Sequence, residues 1–198
     1  MIEDFVELTE EEIINKIETN RKKDVYRLDL GEMKLSDLGC LRRIKEWPQL
    51  EVVNLVGNDL HSIDILNNFP NIKILLCSKN FIISTVLQQL KKLEVLDLSY
   101  NNLDQIPDLR ELVKLEELNL KNNEIKKLNT ANLTHRKDSL IKVDLSENYI
   151  DFDDSEYDSF LSYLAKMTNI KVFNIYSNWF CEHHPKYEVI SFYLNSIV

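Results

Sequence analysis

Apolar residues return in a fixed order along this chain. From Leu50 the order is Leu-x-x-Val-x-Leu-x-x-Asn-x-Leu, carried by Val53, Leu55, Asn58 and Leu60. It begins again at residues 72, 93, 115 and 140, with weaker copies from 25 and 170. Apolar residues at the fourth and sixth positions alternate with the third and fifth, which is the two-residue period of a short strand. One such strand cannot bury its apolar face alone. Stacked copies can, because successive strands form a parallel sheet with a continuous aliphatic core behind it. Leu75 and Cys77, Leu96 and Leu98, Leu118 and Leu120, Val143 and Leu145, and Phe173 and Ile175 are the expected core equivalents.

Asparagine stands where each strand turns away, at 58, 80, 101, 123, 148 and 178, with Met33 in its place in the first copy. A carboxamide both donates and accepts, so a ladder of them can pair backbone groups in adjacent turns. Beyond the asparagines runs a second apolar series: Ile63, Leu66, Phe69; Val86, Leu87, Leu90; Ile106, Leu109, Leu112. Its spacing of three or four residues predicts short helical turns on the side opposite the sheet. Copies are separated by 25, 22, 21, 22, 25 and 30 residues, so only the last interval has room for a longer helix. Asp153, Asp154 or Ser155 would cap it, ahead of Tyr157, Phe160, Leu161, Leu164 and Met167.

Repeat ends expose core and sheet edge unless covered. Residues 1–24 are expected to form an amino-terminal capping helix, because Thr9-Glu10-Glu11-Glu12 is a capping box and Ile13, Ile14 and Ile17 follow on one face. Residues 181–198 are expected to form a carboxyl-terminal capping helix, with Tyr187, Ile190, Leu194 and Ile197 recurring after Pro185. Seven repeats over 25–180 would lie between the two, as one continuous domain.

Composition narrows the class. A hydrophobic content of 44% suits a folded chain, and 3 Gly with 4 Pro leave little for flexible linkers. The net charge of −9 disfavours direct nucleic-acid binding, which needs Lys and Arg against phosphate, and favours a basic protein partner. No signal peptide opens the chain and no apolar run reaches the roughly 20 residues that span a bilayer. Three cysteines argue against a disulfide framework. An intracellular, cytoplasmic location and a monomer are expected, with nuclear and ciliary locations open. The sequon at Asn132 is discounted on that ground.

Catalytic and cofactor chemistry finds little support. Cys181-Glu182-His183-His184 is a compact group of metal-ligand types but lacks the two spaced pairs of a structural zinc site. The acidic run Asp151–Asp158 lacks the glycine and glutamate of a calcium loop, so helix capping or a basic partner is expected. Lys126–Lys137 is locally basic without interleaved aromatics. No phosphate-cradling glycine loop or nucleophile motif is present. No enzyme activity and no cofactor are expected.

The repeat phrase and its central spacing resemble the leucine-rich repeat superfamily. The chain is similar to the class typified by the leucine-rich regulator of protein phosphatase 1, with a degenerate terminal cap over 178–198 in which Trp179 stands where proline is usual. That resemblance implies an α/β solenoid: a curved right-handed array with a parallel concave sheet and short convex helical turns. It also implies a non-catalytic adaptor binding a protein on the concave face. Relatives in ribonucleoprotein, chromatin and ciliary or cytoskeletal complexes keep those settings open.

In such an array the third, fifth and seventh positions of each copy face the concave surface. Most carry polar residues. Val52, Val56, Ile74, Leu76 and Val95 form an apolar exception across three adjacent copies, bordered by Tyr100. This is the expected partner-binding surface. Coverage by the chain's own terminus and simple tolerance are the alternatives.

Overall fold

The computed structural model describes residues 9–22, 26–44, 46–128 and 138–180. Seven three-residue strands form one parallel sheet in sequence order: β1 (Arg27–Asp29), β2 (Val52–Asn54), β3 (Ile74–Leu76), β4 (Val95–Asp97), β5 (Glu117–Asn119), β6 (Lys142–Asp144) and β7 (Val172–Asn174). Each strand takes the third to fifth positions of its copy, and the register pairs identical positions throughout: Leu28, Val53, Leu75, Leu96, Leu118, Val143 and Phe173 stand side by side. Those central residues are buried, as are the sixth-position Leu55, Cys77, Leu98, Leu120, Leu145 and Ile175. Burying one such aliphatic side chain contributes about 1.5–3 kcal/mol, and the column runs unbroken from copy to copy.

The asparagines act as the pattern predicts. Asn101 Oδ1 accepts from Ile82 N at 2.9 Å, while Nδ2 donates to Cys77 O and Leu98 O, both at 3.0 Å. Asn123 repeats this with Leu103 N, Leu98 O and Leu120 O. Asn148 does so with Ile125 N, Leu120 O and Leu145 O, and Asn178 with Ile150 N, Leu145 O and Ile175 O. Each carboxamide therefore ties its own turn to the previous one. Just before it, the eighth position is left-handed in every copy: Glu32, Gly57, Lys79, Tyr100, Asn122, Glu147 and Ser177 have φ between 53° and 69°. That turn lifts the chain out of the sheet and aims the asparagine inward.

The helical turns are fewer than the apolar spacing predicts. 3₁₀ turns occur at Gly39–Arg43 and Asp64–Asn68, whereas the copies starting at 72 and 93 cross the same side without a helix. Two causes are local. Ile82, Ile83, Thr85 and Val86 form a β-branched run that disfavours helix, and Pro107 pushes Ile106 toward extended backbone. In the first of these copies, Asp64 Oδ1 accepts from Val86 N at 2.9 Å and Asn67 Nδ2 donates to Val86 O, so the preceding copy supplies the hydrogen bonds a helix would have made. Val86 accordingly does not join the buried series. It is exposed, and Leu87 fills that place.

Helix α1 (Glu10–Lys22) starts at Thr9, whose Oγ1 accepts from Glu12 N at 3.3 Å while Glu12 Oε2 accepts from Thr9 N at 2.8 Å. Ile13 and Ile17 are buried in the common core. Helix α2 (Asp154–Leu164) fills the longest interval, and its cap is Asp153. Asp153 Oδ1 accepts from Ser155 N and Glu156 N, and Glu156 Oε2 accepts from Asp153 N at 3.0 Å. Phe160 of α2 stacks on Phe152 with centroids 5.1 Å apart and lies 5.8 Å from Phe173 of β7, joining the helix to the sheet. Residues 181–198, where the sequence predicts a second cap, lie outside the described residues.

The Asp153 cap carries a prediction. The Glu156 amide and the Ser155 hydroxyl hold its carboxyl below the usual carboxylate range. Its stabilising effect is complete above the ordinary carboxylate range and disappears as pH falls through that lowered value. Asp153→Ala should reduce the thermal midpoint by roughly 2–4 °C at neutral pH. The difference from wild type should shrink on acidification, which calorimetry across pH would read.

Candidate functional site

Strands about 4.8 Å apart face a wider layer of turns and helices, which curves the array with the sheet on the inside. On that face the register brings Val52, Ile74 and Val95 into one row, with Arg27 on one flank and Glu117 on the other. Leu76 lies two residues beyond Ile74, between Asn54 and Asp97. Val56 follows at the end of β2. All five apolar residues are half-buried. Tyr100 stands at the rim, 41% exposed and at φ 55°. The structure thus brings together the residues that the sequence pattern singles out, three strands wide.

Paired charges frame this window. Arg27 meets Asp29 at 3.0 Å, Lys73 meets Glu51 at 2.8 Å, and Lys142 meets Glu117 at 3.7 Å. Lys121 pairs with Glu147 at 3.0 Å and lies 6.0 Å from the centre of the Tyr100 ring. Hydrogen bonding to Glu147 raises the Lys121 pKa above its ordinary value and the Lys73 ammonium is raised likewise by Glu51, so both remain cations at neutral pH. A groove of ≈ 590 Å³ opens beside β4–β7, between Glu94, Glu116, Val113, Ile141 and Lys171. Its mixed lining does not converge on a reacting centre.

Other candidate chemistry resolves into structure. Cys77 is buried in the core, and burial, with Asp97 adding to it, pushes its thiol far above the normal range. Cys40 is buried as well. The run Asp151–Asp158 is a helix start, with Asp153 as cap and Glu156 paired to Lys127 at 2.9 Å. Among the described residues no three of His, Cys, Asp and Glu gather to hold a metal ion, and no helix is long and apolar enough to cross a membrane. Cys181, His183 and His184 lie outside the described residues, as does most of the basic stretch.

A second exposed apolar group went unread in the sequence. Phe81, Ile83 and Val86 are all about half exposed, and Phe81 stacks on His61 at 5.8 Å. A signal existed: the tenth position carries Lys34, Asp59, Asn102 and Glu124 in four copies, whereas Phe81 is aromatic, as are Tyr149 and Trp179 in the last two.

Comparison with known proteins agrees with this architecture. A family model described as leucine rich repeat matches residues 70–125. A leucine-rich repeat protein of Leptospira interrogans superposes with a TM-score of 0.66 and 26% identity, over 78% of this chain and 38% of its own. The Arabidopsis receptor kinase HAESA, solved in complex with the peptide hormone IDA and a co-receptor, gives 0.61 and 25%, over 78% of this chain and 26% of its own. An internalin of Listeria monocytogenes shares the fold at a TM-score of 0.60 and 24% identity, over 86% of this chain and 51% of its own. In sequence, a protein phosphatase PHLPP-like protein of Drosophila melanogaster is 35% identical over 65 residues, 32% of this chain. This chain spans only 7% of that relative's length. Residues 70–125 thus match the leucine-rich repeat family, and the array as a whole has the leucine-rich repeat fold, which is generally a protein-interaction module.

Proposed function

We infer that this chain is a non-catalytic interaction module that binds a protein partner on the concave sheet face. Val52, Ile74, Leu76 and Val95 form the contact centre, with Val56 and Tyr100 at its rim. One observation carries the reading: an apolar window, aligned strand to strand over β2–β4 and flanked by polar or ion-paired residues on β1, β5 and β6. Water-facing sheets do not keep such windows without cost, and contiguous exposed apolar patches mark interaction sites. HAESA, a structural neighbour, is seen with a peptide hormone, which is consistent with a peptide-binding use of the fold. A standard interface covers about 800 Å² per partner, so the loops beside β2–β4 contribute as well. The test is affinity capture from native cells with the wild-type chain and with Leu76→Glu/Val95→Glu. Partners retained by the folded double variant would refute this reading.

A further inference from the structure

Asp and Asn fill the fifth position of every copy but one, and they are linked across strands at both ends of the sheet. On β1 and β2, Asn54 Nδ2 donates to Asp29 Oδ1 at 2.9 Å. On β6 and β7, Asn174 Nδ2 donates to Asp144 Oδ2 at 3.2 Å. Each aspartate so placed has a neighbouring carboxamide as its donor.

The middle of the row is different. On the β3 side of Asp97 stands Leu76, which has no donor to offer. On the β5 side Asn119 holds the place that Asn54 and Asn174 hold in the two couples, in register with Asp97, but its hydrogen bond uses Oδ1, which accepts from Lys121 N at 3.1 Å. Asp97 Oδ1 accepts from Ser99 N at 2.9 Å and Ser99 Oγ at 2.7 Å. Among the described residues no hydrogen bond reaches Asp97 Oδ2 or leaves Asn119 Nδ2. Arg27, Lys121 and Lys142, the cations at concave positions, each already have a carboxylate. An open carboxylate oxygen and an open amide donor therefore sit side by side, next to the apolar window.

The geometry points to a partner of defined chemistry: a peptide segment that lays an aliphatic or aromatic side chain on Val52, Ile74, Leu76 and Val95 and, within two residues, brings a lysine or arginine to Asp97 Oδ2. Asn119 Nδ2 then has a backbone carbonyl of the same segment to donate to. Spacing allows this. Leu76 and Asp97 are one strand apart, about 4.8 Å, and two residues of extended chain span roughly 7 Å. The site rests on the concave-face reading above and adds to it the partner's charge. Asp97 is its specificity residue.

Panning a phage library of random dodecapeptides against the chain, then measuring selected synthetic peptides by fluorescence anisotropy, tests the inference. Selected sequences should pair an apolar residue with Lys or Arg at a separation of one or two. Asp97→Asn should weaken their binding about tenfold or more, since a charge-assisted hydrogen bond is lost. That substitution keeps the turn, because Asn54, Asn119 and Asn174 make the equivalent bonds to Val56 N, Lys121 N and Tyr176 N. A peptide with norleucine in place of its cation should bind wild type and Asp97→Asn equally.

If Asp97→Asn binds within twofold of wild type while Leu76→Glu abolishes binding, the cation site is overturned and the concave-face reading stands. If Leu76→Glu leaves binding intact, both fall. Selection of acidic or uncharged peptides, or of none, overturns the cation site as well.

Discussion

Replacing Asn101 with alanine should destabilise the chain by about 3–5 kcal/mol, while the same change at the adjacent Asn102 should cost less than about 0.5 kcal/mol. The two differ only in where the turn points them. Asn101 is 6% exposed and its carboxamide serves Ile82 N, Cys77 O and Leu98 O. Alanine leaves three buried backbone groups without partners, each costing about 1–3 kcal/mol. Asn102 donates to Glu124 at 3.0 Å on the surface, where water replaces the lost bond. Asn101→Asp should be no better, because a carboxylate repels the two carbonyls that the amide held. Urea unfolding of the three variants gives the comparison. A loss below 1 kcal/mol for Asn101→Ala would mean that the ladder is decorative.

The second large effect concerns binding. Leu76→Glu/Val95→Glu should reduce partner affinity by at least a hundredfold, because two carboxylates would have to be desolvated against an apolar partner surface. The array should tolerate both changes. Glu117 already occupies the Val95 row on β5, and Asp or Asn occupies the Leu76 row on every other strand. Neither side chain belongs to the buried core. The added charges beside Asp97 should cost a few tenths of a kcal/mol, against the loss of binding. Unchanged thermal unfolding with lost capture is the expected pair of results.

Periodic elements were legible in the sequence because they depend on position alone. The fourth and sixth positions, the ninth-position asparagines and the Thr9 cap each follow from one residue type at one spacing, while the second cap was narrowed to Asp153, Asp154 or Ser155. Val86 was misplaced because apolar spacing cannot separate a buried turn from an extended run, and the β-branched neighbours that decide it act on the backbone. The Asp29–Asn54 and Asp144–Asn174 couples were invisible too. They depend on which residue lies opposite in the next copy, and the fifth-position row reads as uninformative until the register is known. The apolar window was legible residue by residue. So was its run across three adjacent copies; the open Oδ2 of Asp97 beside it was not.

The sheet order runs without a single exchange from β1 to β7, so each strand leans only on its two neighbours. Such an array opens like a zipper, from its extremities, and an inner link is freed only after the outer ones. β3, which carries Ile74 and Leu76, has strands on both sides and is two links from β1 and four from β7. Loss of the terminal links would therefore leave the recognition surface closed and competent. Amide exchange should record this as slow protons at β3 and β4 beside faster ones at β7. The protein's most durable segment and its proposed contact surface would then be one and the same.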